Sequence, residues 1–155
     1  MSSGRRLAAI CMAGVLAASG HAFAQEPLEV VQALYSEQNL TFTPSHSAAY
    51  FARDLDTALK IDAGNPGEVG AVDFDYRYGA QDTAISGLEL LPEVDNDQAR
   101  VVAVFKNFGK ANSVEWTLCR RANGDWRILN AGSNTGSEEW DLRRMLKLPA
   151  DRFRC

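Results

Sequence analysis

Asp73, Asp75 and Asp82 are three carboxylates near one another in the chain. On an extended backbone Asp73 and Asp75 share one face about 6–7 Å apart. That is close enough to hold a cation between them, or to divide acid and base roles. The calcium-loop pattern D-x-D-x-D-G does not occur, and the simpler reading is a solvated strand face with a loop-capping Asp. Asp95-Asn96-Asp97 lies between two apolar runs and reads as a hairpin turn, where Asp and Asn tolerate left-handed backbone. His46 follows Ser45 at an expected helix start, but a nucleophilic serine would need a strained elbow such as G-x-S-x-G, and Ser86 and Ser133 sit in no such motif. An isomerase that moves a proton needs a buried Asp facing a Tyr hydroxyl. Tyr50, Tyr76 and Asp54 are the residues available for that role, and no spacing links them.

The aromatic residues offer a different chemistry. Tyr35, Tyr50, Phe51, Phe74, Tyr76, Tyr78, Trp116 and Trp126 could wall a pocket for a small apolar molecule. In a domain of this size the competing reading is that these rings fill the core. Taken together, the candidate ligand or partner residues are Tyr50, Asp75, Tyr76, Asp82 and Trp116. No catalytic residue, metal or cofactor is implied.

The elements that must position these side chains begin after an export signal. Arg5 and Arg6 precede a charge-free run from Leu7 to Ala18, and Ala22-Phe23-Ala24 then presents small residues at a cleavage site. The pattern is that of a cleaved secretory signal peptide over residues 1–24, and the apolar run is too short to span a bilayer, which takes roughly 20 residues. Ile10 before Cys11 argues against a lipoprotein. The expected mature chain is a single domain of residues 25–155, beginning at Gln25, in the periplasm or outside the cell, without a membrane anchor. Of the 16 Lys and Arg, Arg5 and Arg6 leave with the signal, so 14 face 20 Asp and Glu, a net charge of −6. That sign argues against nucleic acid and against anionic membrane surfaces. The basic cluster Arg143, Arg144, Arg152 and Arg154 reads as a solvated helix face and tail. Cys119 and Cys155 remain after cleavage, and in an oxidising compartment two cysteines read as one disulfide. It would close a loop of about 36 residues, worth roughly 3–4 kcal/mol in the chain-entropy picture. With His46 as the lone mature histidine and no C-x-x-C, a zinc site is not expected.

Hydrophobic periodicity supplies the architecture. Pro27, Leu28, Val31, Leu34 and Tyr35 predict a helix over 27–38, and Phe51, Leu55, Ala58 and Leu59 a second one from Thr43-Pro44 or Ser45 to Ile61. Arg53, Asp54, Asp56 and Lys60 are expected mostly outside. From residue 70 the period changes to two. Residues 72–78 alternate apolar and charged side chains and predict a short extended segment, with Asp73, Asp75 and Arg77 on its polar face. Strands follow over 84–94, 99–107, 113–121 and 125–131, the last two joined through Asn123-Gly124. Ser137, Glu138 and Glu139 open a closing helix whose apolar face is Leu142, Met145 and Leu146, and Pro149 ends it. Helices followed by a run of antiparallel strands give an α+β domain, with the N-terminal helices packed on one face of a curved sheet and a short C-terminal helix.

That order resembles the nuclear transport factor 2-like cone. The stretch VEWTLCRRANGDWRILNAGS is similar to the final hairpin of that superfamily, in which Gly-x-Trp-x-Ile recurs. VDFDYRYGAQD, followed by EEWDLRRML, resembles a narrower group of bacterial secreted proteins, domain of unknown function 3828. The resemblance covers roughly residues 27–148, and this chain departs from it at Tyr76-Arg77, where an Asp-Pro-Phe-like step is expected. It implies a fold and no catalytic residue. The sequence therefore reads as an exported, non-catalytic binding protein for a small ligand or another protein. The alternatives are an isomerase or dehydratase with an Asp and Tyr in its pocket, and a periplasmic immunity or inhibitor protein.

Overall fold

Capping and apolar spacing start the first helix where the sequence expects it. α1 (Pro27–Ser36) has Pro27 in its first turn and a capping box in which Glu26 and Glu29 satisfy each other's backbone N–H groups. It buries Val30, Val31 and Leu34. The computed structural model describes residues 25–37, 48–64, 69–135, 139–150 and 155. His46 and Ser45, the signal segment, Ser137, Glu138, Arg152 and Arg154 lie outside the described residues.

α2 (Arg53–Ala63) starts later than the periodicity predicts. Phe51 forms a parallel bridge to Ile128, with the Ile128 N–H donating to the Tyr50 carbonyl and the Ala52 N–H donating to the Ile128 carbonyl, both at 2.8 Å. A backbone paired sideways in this way cannot also be helical, so residues 50–52 interrupt the helix expected from 43–45. Leu55 and Leu59 then face the core, and Asp56 is buried against Lys60 at 2.6 Å.

Five strands form an antiparallel meander in the order β1-β2-β3-β4-β5: β1 (Ile85–Asp95), β2 (Gln98–Asn107), β3 (Lys110–Arg120), β4 (Trp126–Ser133) and β5 (Trp140–Asp141). The chain is thus α+β, with helices and an antiparallel sheet. One sheet face carries Ala99, Val101, Ala103 and Phe105 of β2, Val114, Trp116 and Leu118 of β3, and Trp126, Ile128 and Ala131 of β4, packed with α1 and α2 in one core. Trp116 and Trp126 sit on neighbouring antiparallel strands. A bulge opposite Thr117 and Leu118 inserts Leu129, so that Ile128 and Ala131 both face the core while Leu129 turns to the other side with Ala52 and Cys119. A second irregularity between Ser86 and Glu89 bends β1.

Two expectations fail for local reasons. Residues 72–78 are not extended, because Asp75 ties the chain into a turn. The Asp75 carbonyl accepts from the N–H groups of Tyr78 and Gly79, its N–H donates to the Ala80 carbonyl, and its carboxylate accepts from the Arg77 N–H. This is the Asx geometry that competes with strand pairing, and it buries Arg77 instead of leaving it on a polar strand face. The closing helix is also shorter. Trp140-Asp141 pairs with Gly132-Ser133, and only α3 (Leu142–Met145) is helical, capped by Asp141, whose side chain accepts from the Arg144 N–H at 2.8 Å.

Arg143, expected on a solvated face, is 2% exposed. It donates to the carbonyls of Pro149 and Leu129 and to the Asp54 carboxylate at 2.7 Å, joining tail, β4 and the start of α2. A guanidinium this deep is tolerated because it is paired and hydrogen-bonded. Cys119 and Cys155 form a disulfide with α-carbons 5.7 Å apart, fastening the last residue to β3 beside Ala52 and Leu129. Among the described residues no helix is long and apolar enough to cross a membrane.

Removing Asp54 takes a carboxylate partner from the buried Arg143 charge. Asp54→Ala is expected to cost about 3 kcal/mol, the low end for a buried pair broken from one side, since the Asp54 side chain is 29% exposed. Arg143→Met, which removes the buried charge itself, should cost less. Urea unfolding of both variants checks the order, and equal costs would contradict it.

Candidate functional site

The sequence candidates converge, but through packing around one buried guanidinium. Arg77 lies at the end of the Asp75 turn and is 8% exposed. Its Nε and Nη2 donate to both oxygens of Asp75, the latter at 2.7 Å, and its Nη1 donates to the Glu37 carbonyl at the end of α1. The Arg77 carbonyl accepts from the Tyr35 hydroxyl at 2.6 Å, and that oxygen accepts in turn from Trp116 Nε1 at 3.3 Å. Tyr50 donates its hydroxyl to Glu37 Oε1 at 2.6 Å. Tyr76 is 1% exposed between Phe51 and Trp116, edge-on to both.

Tyr50, Asp75, Tyr76 and Trp116 thus belong to one neighbourhood, spanning α1, the 75–80 turn and β3. Asp82 is outside it: it is exposed, and its carbonyl accepts from Asn107. Asp54, Tyr50 and Tyr76 do not form a shared proton-transfer site, since Asp54 pairs with Arg143 and Tyr50 with Glu37. Asp73 accepts from Gln81 at 3.2 Å while Asp75 is taken up by Arg77. Among the described residues no group of three potential ligands could hold a metal. Burial raises the hydroxyl pKa of Tyr35, Tyr76 and Tyr78. Tyr50 is pushed up to about 12 by desolvation and by the Glu37 carboxylate that accepts its proton. These phenols stay protonated at neutral pH, and those of Tyr35 and Tyr50 act as hydrogen-bond donors.

The open space lies next to this network. A cleft of about 1120 Å³ is bounded by the 73–81 turn, the tip of the β2–β3 hairpin, the end of β4 and the segment from Glu139 to Met145. Its inner wall includes Phe74 and Trp140, edge-on at 5.2 Å, and Tyr78, which is backed by the core ring of Phe105 at 5.4 Å. Gly79 makes that wall possible. Its φ is +62°, and a Cβ there would lie 2.5 Å from Trp140 Nε1. Ser113, Ser133 and Thr135 join their hydroxyls at the end of the sheet, and Glu139 meets Arg144 at 3.5 Å.

The cleft has no signature in the sequence, because its walls come from segments far apart in the chain. Phe74 and Tyr78 stand out only as members of an aromatic set, and Trp140 only within a motif. Phe108 precedes Gly109 and belongs to no motif. The chain matches no family model, no curated protein and no solved structure.

The raised tyrosines make the protein sensitive to alkali. In the unfolded chain these hydroxyls ionise near pH 10, whereas in the fold they hold their protons to higher pH, Tyr50 to about 12. Their contribution is therefore complete below pH ~10 and is lost as pH rises through the folded values. Unfolding free energy measured against pH should fall above pH ~10, and Tyr50→Phe should flatten part of that fall. A Tyr50→Phe profile identical to wild type would contradict the assignment.

Proposed function

We propose that the protein is an exported binding protein whose ligand site is the cleft between the Asp75 turn and the tip of the β2–β3 hairpin. The observation that carries this reading is the cleft itself. Its volume exceeds the ~300–1,000 Å³ common for small-molecule sites, and its wall combines aromatic rings with amides, hydroxyls and charged groups. A buried polar network behind it fixes the 75–80 turn in one shape, which is the preorganisation that binding needs. The arrangement of helices on one face of a bent antiparallel meander is the support for a nuclear transport factor 2-like cone. The Arg5-Arg6 start and the Ala22-Phe23-Ala24 site support export to the periplasm or beyond. The acidic balance of the mature chain fits a ligand other than nucleic acid.

The tyrosines favour binding over catalysis. Their hydroxyls are moved away from neutrality, and a general acid or base works best with a pKa near the operating pH.

Asn112→Trp puts an indole into the cleft from β3, on the same sheet face as Phe105. Ligand-observed NMR with a fractionated periplasmic extract should show molecules that bind the wild-type protein and fail to bind Asn112→Trp. Identical binding by both proteins would contradict the location of the site, and absence of binding to the wild type would contradict the reading itself.

A further inference from the structure

Phe108 stands at the lip of the cleft in a backbone conformation that its side chain disfavours. It forms, with Gly109, the two-residue turn between the paired Asn107 and Lys110. Both turn residues have positive φ, 48° for Phe108 and 77° for Gly109. A two-residue hairpin with two left-handed residues is a position for Asn, Asp or Gly. A bulky ring there is strained. Core burial does not repay that strain, since Phe108 is 64% exposed.

The rest of the lining says what an exposed ring at this place would meet. Asp73 and Glu139 are balanced by Lys110 and Arg144 around the cleft, and Glu139 and Arg144 already pair. The site therefore selects for no net charge. Gln81 and Asn112 supply uncharged amides that each make only part of their bonds within the chain, Gln81 to Asp73 and Asn112 to the Lys110 carbonyl. A carboxamide has two donors and an acceptor oxygen with two lone pairs, which leaves capacity for a ligand. A neutral molecule with a hydroxyl rim and an apolar C–H face matches both halves of this surface. The rim takes the amides, and the C–H face meets the electron-rich face of an aromatic ring.

We propose that the cleft binds a neutral saccharide, with one sugar ring stacked on Phe108. This rests on the reading of the cleft as the ligand site and adds the class of ligand and the residue that recognises it. The strain at Phe108 is then retained for contact, and the fold itself is better served by the turn residue Asn.

The test uses the mature protein from Gln25, with chitotetraose and maltotetraose as probes in isothermal titration, beside thermal unfolding. Wild type should bind at least one probe saturably. Phe108→Asn should bind it about tenfold more weakly, a change of about 1.4 kcal/mol, and should melt roughly 2–8 °C higher as the strain is relieved. Unchanged binding by Phe108→Asn would overturn the role of the ring. A lower melting temperature would show that Phe108 serves the fold. A wild-type protein that binds neither probe, yet binds another class of molecule lost in Asn112→Trp, would overturn the saccharide assignment and leave the binding site standing.

Discussion

The Arg77 guanidinium is the interaction on which the cleft depends. Arg77 ties three segments together: the guanidinium reaches the end of α1 through the Glu37 carbonyl and its own turn through Asp75, and the backbone carbonyl, through the Tyr35 hydroxyl, joins the indole of Trp116 in β3. Its side chain is 9% exposed and that of Asp75 23%. Desolvating such a pair costs much of what the attraction returns, so its value lies in geometry more than in net stability. With five N–H donors in a rigid fork, arginine can satisfy a carboxylate and a carbonyl at once. Lysine in its place would lose the bidentate contact. The consequence is a turn with Tyr76 pointing into the core and Phe74, Tyr78 and Gly79 presented to the cleft.

Arg143 plays a comparable part at the back of the molecule. Its contacts to Asp54, Leu129 and Pro149, with the Cys119–Cys155 disulfide, tie Pro149 and Cys155 to α2, β4 and β3. The free side of β4 is covered at one end by residues 50–52 and at the other by β5. Among the described residues β1 is the edge left without a neighbouring strand. Pro92, which has no N–H to offer a neighbouring strand, and the exposed carboxylates of Glu89 and Glu93 guard it against pairing with other chains.

The regular elements were legible in the sequence because each rests on a repeating signal. Pro27 with Val31 and Leu34 announces α1, and the alternation through β2 and β3 announces the sheet. What was not legible are the places where one polar side chain outbids the pattern. The alternation of residues 72–78 is as regular as that of any strand, yet the Asp75 carboxylate bonds the Arg77 N–H and turns the chain. Arg143 reads as one more surface cation until Asp54, 89 residues away, is brought against it. Tyr50, Asp75, Tyr76 and Trp116 stand in the sequence as separate candidates, and the contacts that bring them into one neighbourhood join residues up to 81 positions apart. Phe108 carries no pattern at all, and only its backbone angle and its exposure single it out.

Arg77 holds the cleft wall in shape without carrying the whole fold. Amide hydrogen exchange resolved by residue in Arg77→Gln protein tests this most directly, because local opening is reported separately from global unfolding. Exchange should accelerate at Tyr78, Gly79 and Ala80 and at Glu37, while the amides of β2 and β3 keep their protection. Unchanged exchange in the 75–80 turn, or a uniform loss of protection across the sheet, would contradict the claim.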